Sequence, residues 1–143
     1  FENKKKNKNL KNNNCNVILG TVIDEYFDLN TNKNIIKKKL TKFLNDLNGN
    51  NFYIKHPRAK LKDKFNNKKI TNVISKKIAE DYIVDNLFTK YNKINLYSFP
   101  VSTVQLNLEK FKQINNILIL TENLPQRASD GMKTIKKYSK IFI

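Results

Sequence analysis

His56 is the only histidine of the chain, and it stands in His56-Pro57-Arg58, directly after the apolar run Phe52-Tyr53-Ile54. Imidazole is the one side chain whose ordinary pKa lies near neutrality, so it can supply either a proton or a hydrogen bond at physiological pH. Its place, where a short strand yields to a loop, is where open α/β sheets put their ligand chemistry. Two later features fall into step with it: the Glu80-Asp81 pair opening a helical stretch, and Ser102-Thr103 after Pro100. Hydroxyls and backbone N–H groups at a helix start suit a phosphate, because the helix dipole favours an anion there. Each feature also has an ordinary reading, as a loop histidine, a helix-start carboxylate and an N-cap. Together they suggest a nucleotide-sugar site; none does so alone.

These residues need elements to position them. Val17-Ile18-Leu19-Gly20 reads as a buried strand ending in glycine, followed by an acidic loop through Asp24, Glu25 and Asp28. Ile35, Ile36, Leu40, Phe43, Leu44 and Leu47 recur at helical spacing, with Gly49 as a stop. Phe52 to Ile54 and Ile70 to Ile74 are the next strands, and Ser75 is the expected N-cap of a helix through Leu87. Ile94 to Tyr97 is a fourth strand, Ser102 to Phe111 a helix, and Ile117 to Leu120 a fifth strand. From about Ser129 the pattern predicts a basic amphipathic helix passing into a last strand at Ile141-Phe142-Ile143. Strands alternating with helices imply a parallel α/β sheet with helices on both faces, a Rossmann-like architecture. Residues 1–16 read as a polar Lys/Asn tail or linker, and 17–143 as one domain.

Composition narrows the partners. A chain of 143 residues is enough for one domain with a real core and too short for two of ordinary size. It opens on Phe1 and not on Met, which reads as a processed or excised chain. Lys+Arg number 28 against 12 Asp+Glu, a net charge of +16, and only Arg58 and Arg127 are arginines. A basic surface favours anionic partners. Specific nucleic-acid readers lean on arginine forks that this chain barely has, so nucleic acid is not an expected partner. The Lys and Asn excess also fits an AT-rich genome, which lowers the charge as a signal. Cys15 is the sole cysteine, which excludes an intrachain disulfide and a Cys-based zinc cluster. With only three glycines there is no Gly-rich dinucleotide fingerprint and no Walker loop. No apolar run approaches the roughly 18 residues of a membrane span, and no signal peptide is visible.

Four stretches, in their order and spacing, resemble the bacterial lipooligosaccharide sialyltransferases (glycosyltransferase family 52) and, more loosely, the capsular polysialyltransferases. Tyr53-Ile54-Lys55-His56-Pro57-Arg58 is similar to the family's His-Pro motif, and Ile78-Ala79-Glu80-Asp81-Tyr82-Ile83 to the acidic segment after it. Leu96-Tyr97-Ser98-Phe99-Pro100-Val101-Ser102-Thr103 resembles the paired-hydroxyl motif. Ile18-Leu19-Gly20 with Asp24-Glu25 resembles the strand that opens the same half-domain, and the resemblance runs from about residue 17 to 124. The family pattern often has an acidic residue soon after His-Pro-Arg, where Ala59 stands here. It favours two serines at Ser102-Thr103, a change that keeps both hydroxyls.

The resemblance implies the second, donor-nucleotide half of a two-domain GT-B enzyme, with the N-terminal acceptor domain as a missing partner. It implies transfer of sialic acid from CMP-sialic acid to a terminal sugar of a bacterial lipooligosaccharide, inverting, with no metal and no cofactor. His56 would act on the departing phosphate oxygen. Gly20, Pro57, Ser102 and Thr103 would line the nucleotide, and Glu80 would accept hydrogen bonds from the ribose hydroxyls. A base must take the acceptor's proton, and Asp24 is preferred to Glu25 for it. The implied location is the bacterial cytoplasm, peripheral to the inner membrane.

Other readings use the same residues. The lysines with Tyr53, Tyr97 and Phe99 as stacking platforms would make a basic nucleic-acid module. A half-domain without catalysis could rest on anionic membrane through its basic helices. The same Rossmann-like half could serve a different nucleotide-sugar donor, since fold does not fix the donor. Exposed sheet edges leave room for a homodimer.

Overall fold

The computed structural model describes residues 13–23, 32–60, 64–122 and 124–143. Apolar runs become the strands β1 (Asn14–Leu19), β2 (Asn51–Ile54), β3 (Ile70–Asn72), β4 (Lys93–Ser98), β5 (Ile114–Leu120) and β6 (Ser139–Phe142). They form one six-stranded sheet in the order β3-β2-β1-β4-β5-β6, and every neighbouring pair is parallel. A parallel sheet is covered on both faces, so its central strands are apolar on both sides. Val17-Ile18-Leu19 and Leu118-Ile119-Leu120 are buried throughout.

Helices α1 (Lys33–Asn45), α2 (Ala79–Tyr82), α3 (Thr103–Leu108) and α4 (Gln126–Met132) connect the strands. The Asn32 side chain caps α1 by accepting from the Ile35 N–H at 3.3 Å, and Gly49, with φ of 101°, makes the left-handed turn into β2. Helix α1 packs Ile36 and Leu44 on Ile18, Tyr53, Tyr97 and Ile119. The Phe43 ring meets that of Tyr97 at 6.0 Å. On the other face Ile83, Leu87 and Leu108 cover Cys15, Val17, Leu19, Ile94 and Leu96, while Ile135 and Met132 cover Leu118 and Leu120. Each fully buried aliphatic side chain of this kind contributes roughly 1.5–3 kcal/mol. Helices on both faces of a parallel sheet, in this strand order, make the Rossmann-like α/β fold.

Several boundaries differ from the sequence pattern, each for a local reason. β1 takes in Asn14 to Asn16, ahead of the expected start at Val17, because Asn16 belongs to a polar row across the sheet. Asn16 Nδ2 donates to Asn51 Oδ1 at 2.8 Å, Asn95 Nδ2 to Asn16 Oδ1 at 3.0 Å, and Asn115 Nδ2 to Asn95 Oδ1 at 2.9 Å. Ser75 caps no helix: its Oγ accepts from the Lys77 N–H at 3.1 Å in a turn, and α2 begins at Ala79. α2 then widens into a π-helical turn over Ile83–Leu87. The expected long helix at the end is short. Thr134 Oγ1 donates to Gly131 O at 2.6 Å just past α4, and Ser139–Phe142 pairs with β5. Pairing along the β5 edge outweighs the helical periodicity of that segment. No helix among the described residues is long and apolar enough to cross a membrane.

Candidate functional site

The strand order reverses between β1 and β4: chain connections run outward from β1 to β2 and from β4 to β5. Such a switch point opens a crevice beyond the carboxyl ends of the strands, where doubly wound sheets take their ligands. Gly20 and Thr21 leave β1 there, and Ser98-Phe99-Pro100 leaves β4. Thr21 Oγ1 donates to Phe99 O at 2.7 Å, tying the two strand ends together. The Phe99–Pro100 peptide is cis.

The next strand end carries His56. The Ala59 N–H donates to His56 O at 2.9 Å, so His56-Pro57-Arg58-Ala59 is a β-turn with proline at the second position, where its fixed φ belongs. This explains the tripeptide locally. The Arg58 N–H also donates to His56 Nδ1 at 3.1 Å. A backbone N–H can only donate, so Nδ1 carries a lone pair and the ring proton sits on Nε2. His56 therefore presents Nε2–H as a hydrogen-bond donor, and it is half-buried.

Gly20 lies against this turn. Its N–H donates to Ile54 O at 2.8 Å. A Cβ at Gly20 would stand 2.8 Å from the His56 nitrogen and 2.6 Å from the Tyr53 hydroxyl. Only glycine lets the β1 end approach so closely.

Ser102 is the N-cap of α3. Its Oγ accepts from the Val104 N–H at 3.2 Å, and its own N–H donates to Gln105 Oε1 at 3.2 Å, the two halves of a capping box. Capping uses a lone pair of Oγ and leaves the hydroxyl proton to donate elsewhere. Gln105 is 0% exposed, and its Nε2 donates to Leu96 O at 2.9 Å and to Ile117 O at 3.2 Å. One amide thus locks the start of α3 onto β4 and β5. Thr103 is exposed at the first helical position.

Glu80 is half-buried in the first turn of α2, and its Oε1 accepts from Asn107 Nδ2 of α3 at 2.9 Å. The structure thus sets Gly20 against His56, and joins Glu80 to the Ser102 helix through Asn107. Pro57 is an exposed turn residue. Asp24 and Glu25 lie outside the described residues. Sequence reasoning missed Thr21, Gln105 and Asn107. Only Gln105 left a sequence signal, the S-x-x-Q spacing of Ser102 and Gln105.

A cleft of about 1390 Å³, as bounded by the described residues, lies over the α1 face. It shares Gly20, Thr21 and Arg58 with this region, but His56, Glu80, Ser102 and Thr103 do not line it. Size alone would mark that cleft. At the strand ends the contacts are pairwise: Gly20 meets the His56 turn, Thr21 meets Phe99 and Glu80 meets Asn107 of α3. Among the described residues no group of three His, Cys, Asp or Glu side chains could hold a metal ion.

No curated protein matches the chain. The sequence pattern of glycosyltransferase family 52 matches residues 1–123, a span holding β1 to β5 and every residue just placed at the strand ends. With most of its length matched and an α/β sheet of the Rossmann-like kind beneath it, the chain belongs to glycosyltransferase family 52.

Proposed function

We propose that this glycosyltransferase chain is the donor-nucleotide half of a GT-B sialyltransferase, taking CMP-sialic acid at the crevice beyond β1 and β4. The reading rests chiefly on one arrangement: Gly20, His56, Glu80 and Ser102 come from four segments that follow β1, β2, β3 and β4 in turn. In the proposed reaction an acceptor hydroxyl attacks the anomeric carbon of sialic acid with inversion. The bond to the CMP phosphate breaks, and its electron pair stays on the phosphate oxygen. Nε2–H of His56 donates to that oxygen as charge develops, an interaction that strengthens towards the transition state. The Ser102 and Thr103 hydroxyls donate to the same phosphate. Glu80, with one oxygen on Asn107, keeps acceptor capacity for the ribose hydroxyls. Asp24 is the proposed base for the acceptor proton, and a separate domain is proposed to supply the acceptor, the terminal sugar of a bacterial lipooligosaccharide.

Calorimetric titration of the chain with CMP, CDP and UDP tests this reading. Saturable binding that favours CMP is expected, weakened about tenfold to a hundredfold in His56→Ala, as befits a lost hydrogen bond to a charged group. Absence of binding by any of the three, with the fold intact, would overturn it. A preference for UDP would move the donor to another nucleotide sugar.

A further inference from the structure

Six of the lysines that look evenly scattered along the sequence are gathered on one surface. Lys37, Lys38 and Lys42 stand exposed on α1. Lys64, Lys68 and Lys69 stand exposed on the connection between β2 and β3. Asn67 Nδ2 donates to Asn45 Oδ1 at 3.1 Å and so holds residues 64–69 beside α1. The two groups border adjoining clefts that share Lys37, Thr41 and Asn45. Asp46 is the one acidic side chain lining either cleft among the described residues. The floor between the lysines is apolar, with Leu40, Phe65 and Phe99. On α1 itself Ile35 is 51% exposed, set among lysines three, four and seven positions on, at Lys38, Lys39 and Lys42.

We propose that this surface, α1 with residues 64–69 ahead of β3, docks the chain on a bilayer of anionic phospholipid. Clustered lysines gain about 1 kcal/mol each near an anionic leaflet, and an exposed apolar side chain among them can enter the headgroup boundary. Nucleic acid fits less well. Apart from Arg58, which also lines the larger cleft, the cationic groups here are lysines, which meet phosphate as point charges and not as arginine forks. The nearby rings of Tyr53 and Phe65 meet edge to face, 4.8 Å apart at 77°, and so pack on each other in place of presenting paired faces to bases. None of these lysines belongs to the donor site, although the cleft they border also takes in Gly20, Thr21 and Arg58, so vesicle binding and CMP binding are measured separately.

The test is co-sedimentation of the full chain with phosphatidylcholine vesicles, with and without phosphatidylglycerol, over a salt series. Binding is expected only with the anionic lipid and is expected to fall as salt rises. The triple variant Lys64→Gln/Lys68→Gln/Lys69→Gln should lower the partition coefficient on the order of a hundredfold. Ile35→Ser should lower it about fivefold. A control, Lys112→Gln/Lys133→Gln/Lys137→Gln, removes the same charge from connections that follow α3 and α4, and should change binding little. Circular dichroism checks that these surface variants remain folded. Equal losses in the two triple variants, or equal binding to neutral vesicles, would overturn the proposal. So would tighter retention of single-stranded RNA, lost with the same lysines, which would assign the surface to nucleic acid.

Discussion

At Gly20 and His56 a missing side chain on one strand sets the place of an imidazole on the next. The Cβ of an alanine at position 20 would meet the His56 backbone nitrogen as well as the hydroxyl of the buried Tyr53 ring. Gly20→Ala should therefore cost about 1–3 kcal/mol of stability, the usual scale of overpacking. Adding Tyr53→Phe removes the hydroxyl and leaves the backbone obstacle. The double variant should recover part of the stability in urea melts and none of the CMP affinity. Recovery of both together would show that the glycine serves packing and not the placement of His56.

At the scale of elements, α3 has six residues, too few to hold its shape by helix propagation alone. It is held by Gln105, whose amide reaches both β4 and β5 while its oxygen takes the Ser102 N–H. Gln105→Leu fills a similar volume but strands the Ser102 N–H and deprives two strand carbonyls of a donor, a penalty of about 1–3 kcal/mol. Hydrogen exchange should then show faster opening at α3 than at β1 or β2. Uniform loss of protection across the sheet would mean that Gln105 supports the whole fold and not this element. The asparagine row at the opposite end of the strands plays a comparable part. A parallel strand can slip its register, and three side-chain amide bonds between aligned residues oppose that slip.

The whole molecule shows its packing in its response to alkali. Cys15 is 1% exposed between β1 and the covering helices, and burial pushes its thiol from an ordinary 9.0 up to about 12. Burial also raises the Tyr97 phenol on the other face. Between about pH 9 and 12 the folded chain holds a thiol proton that the unfolded chain has lost. Stability should thus be unaffected by this group below that window and fall as pH rises through it. Urea midpoints measured across the window should decline more steeply for the native chain than for Cys15→Ala, with Tyr97 sustaining a residual slope. Equal slopes would show that the thiol ionises without unfolding.

How much of this was legible in the sequence depends on the range of the interaction. Apolar runs marked the central strands, because a strand buried on both faces must be apolar throughout. The turn at His56 was legible in Pro57, and the capping box was legible in Ser102 and Gln105, because both close within four residues. At the terminal segment the last strand was legible and is present as β6, but the helix before it is shorter than its periodicity implied, because the chain pairs with β5 from Ser139. Asn16, Asn51, Asn95 and Asn115 each lie in or beside an apolar run, yet only the strand order and register bring their amides together. Likewise only the fold sets Gly20 against His56, Thr21 against Phe99 and Glu80 against Asn107, and gathers lysines of α1 with those of the β2–β3 connection. By itself the sequence determined the parallel α/β architecture and the chemistry available at each strand end. Tertiary structure decided which of those groups meet, because pairing across a sheet depends on non-local geometry that no local pattern encodes.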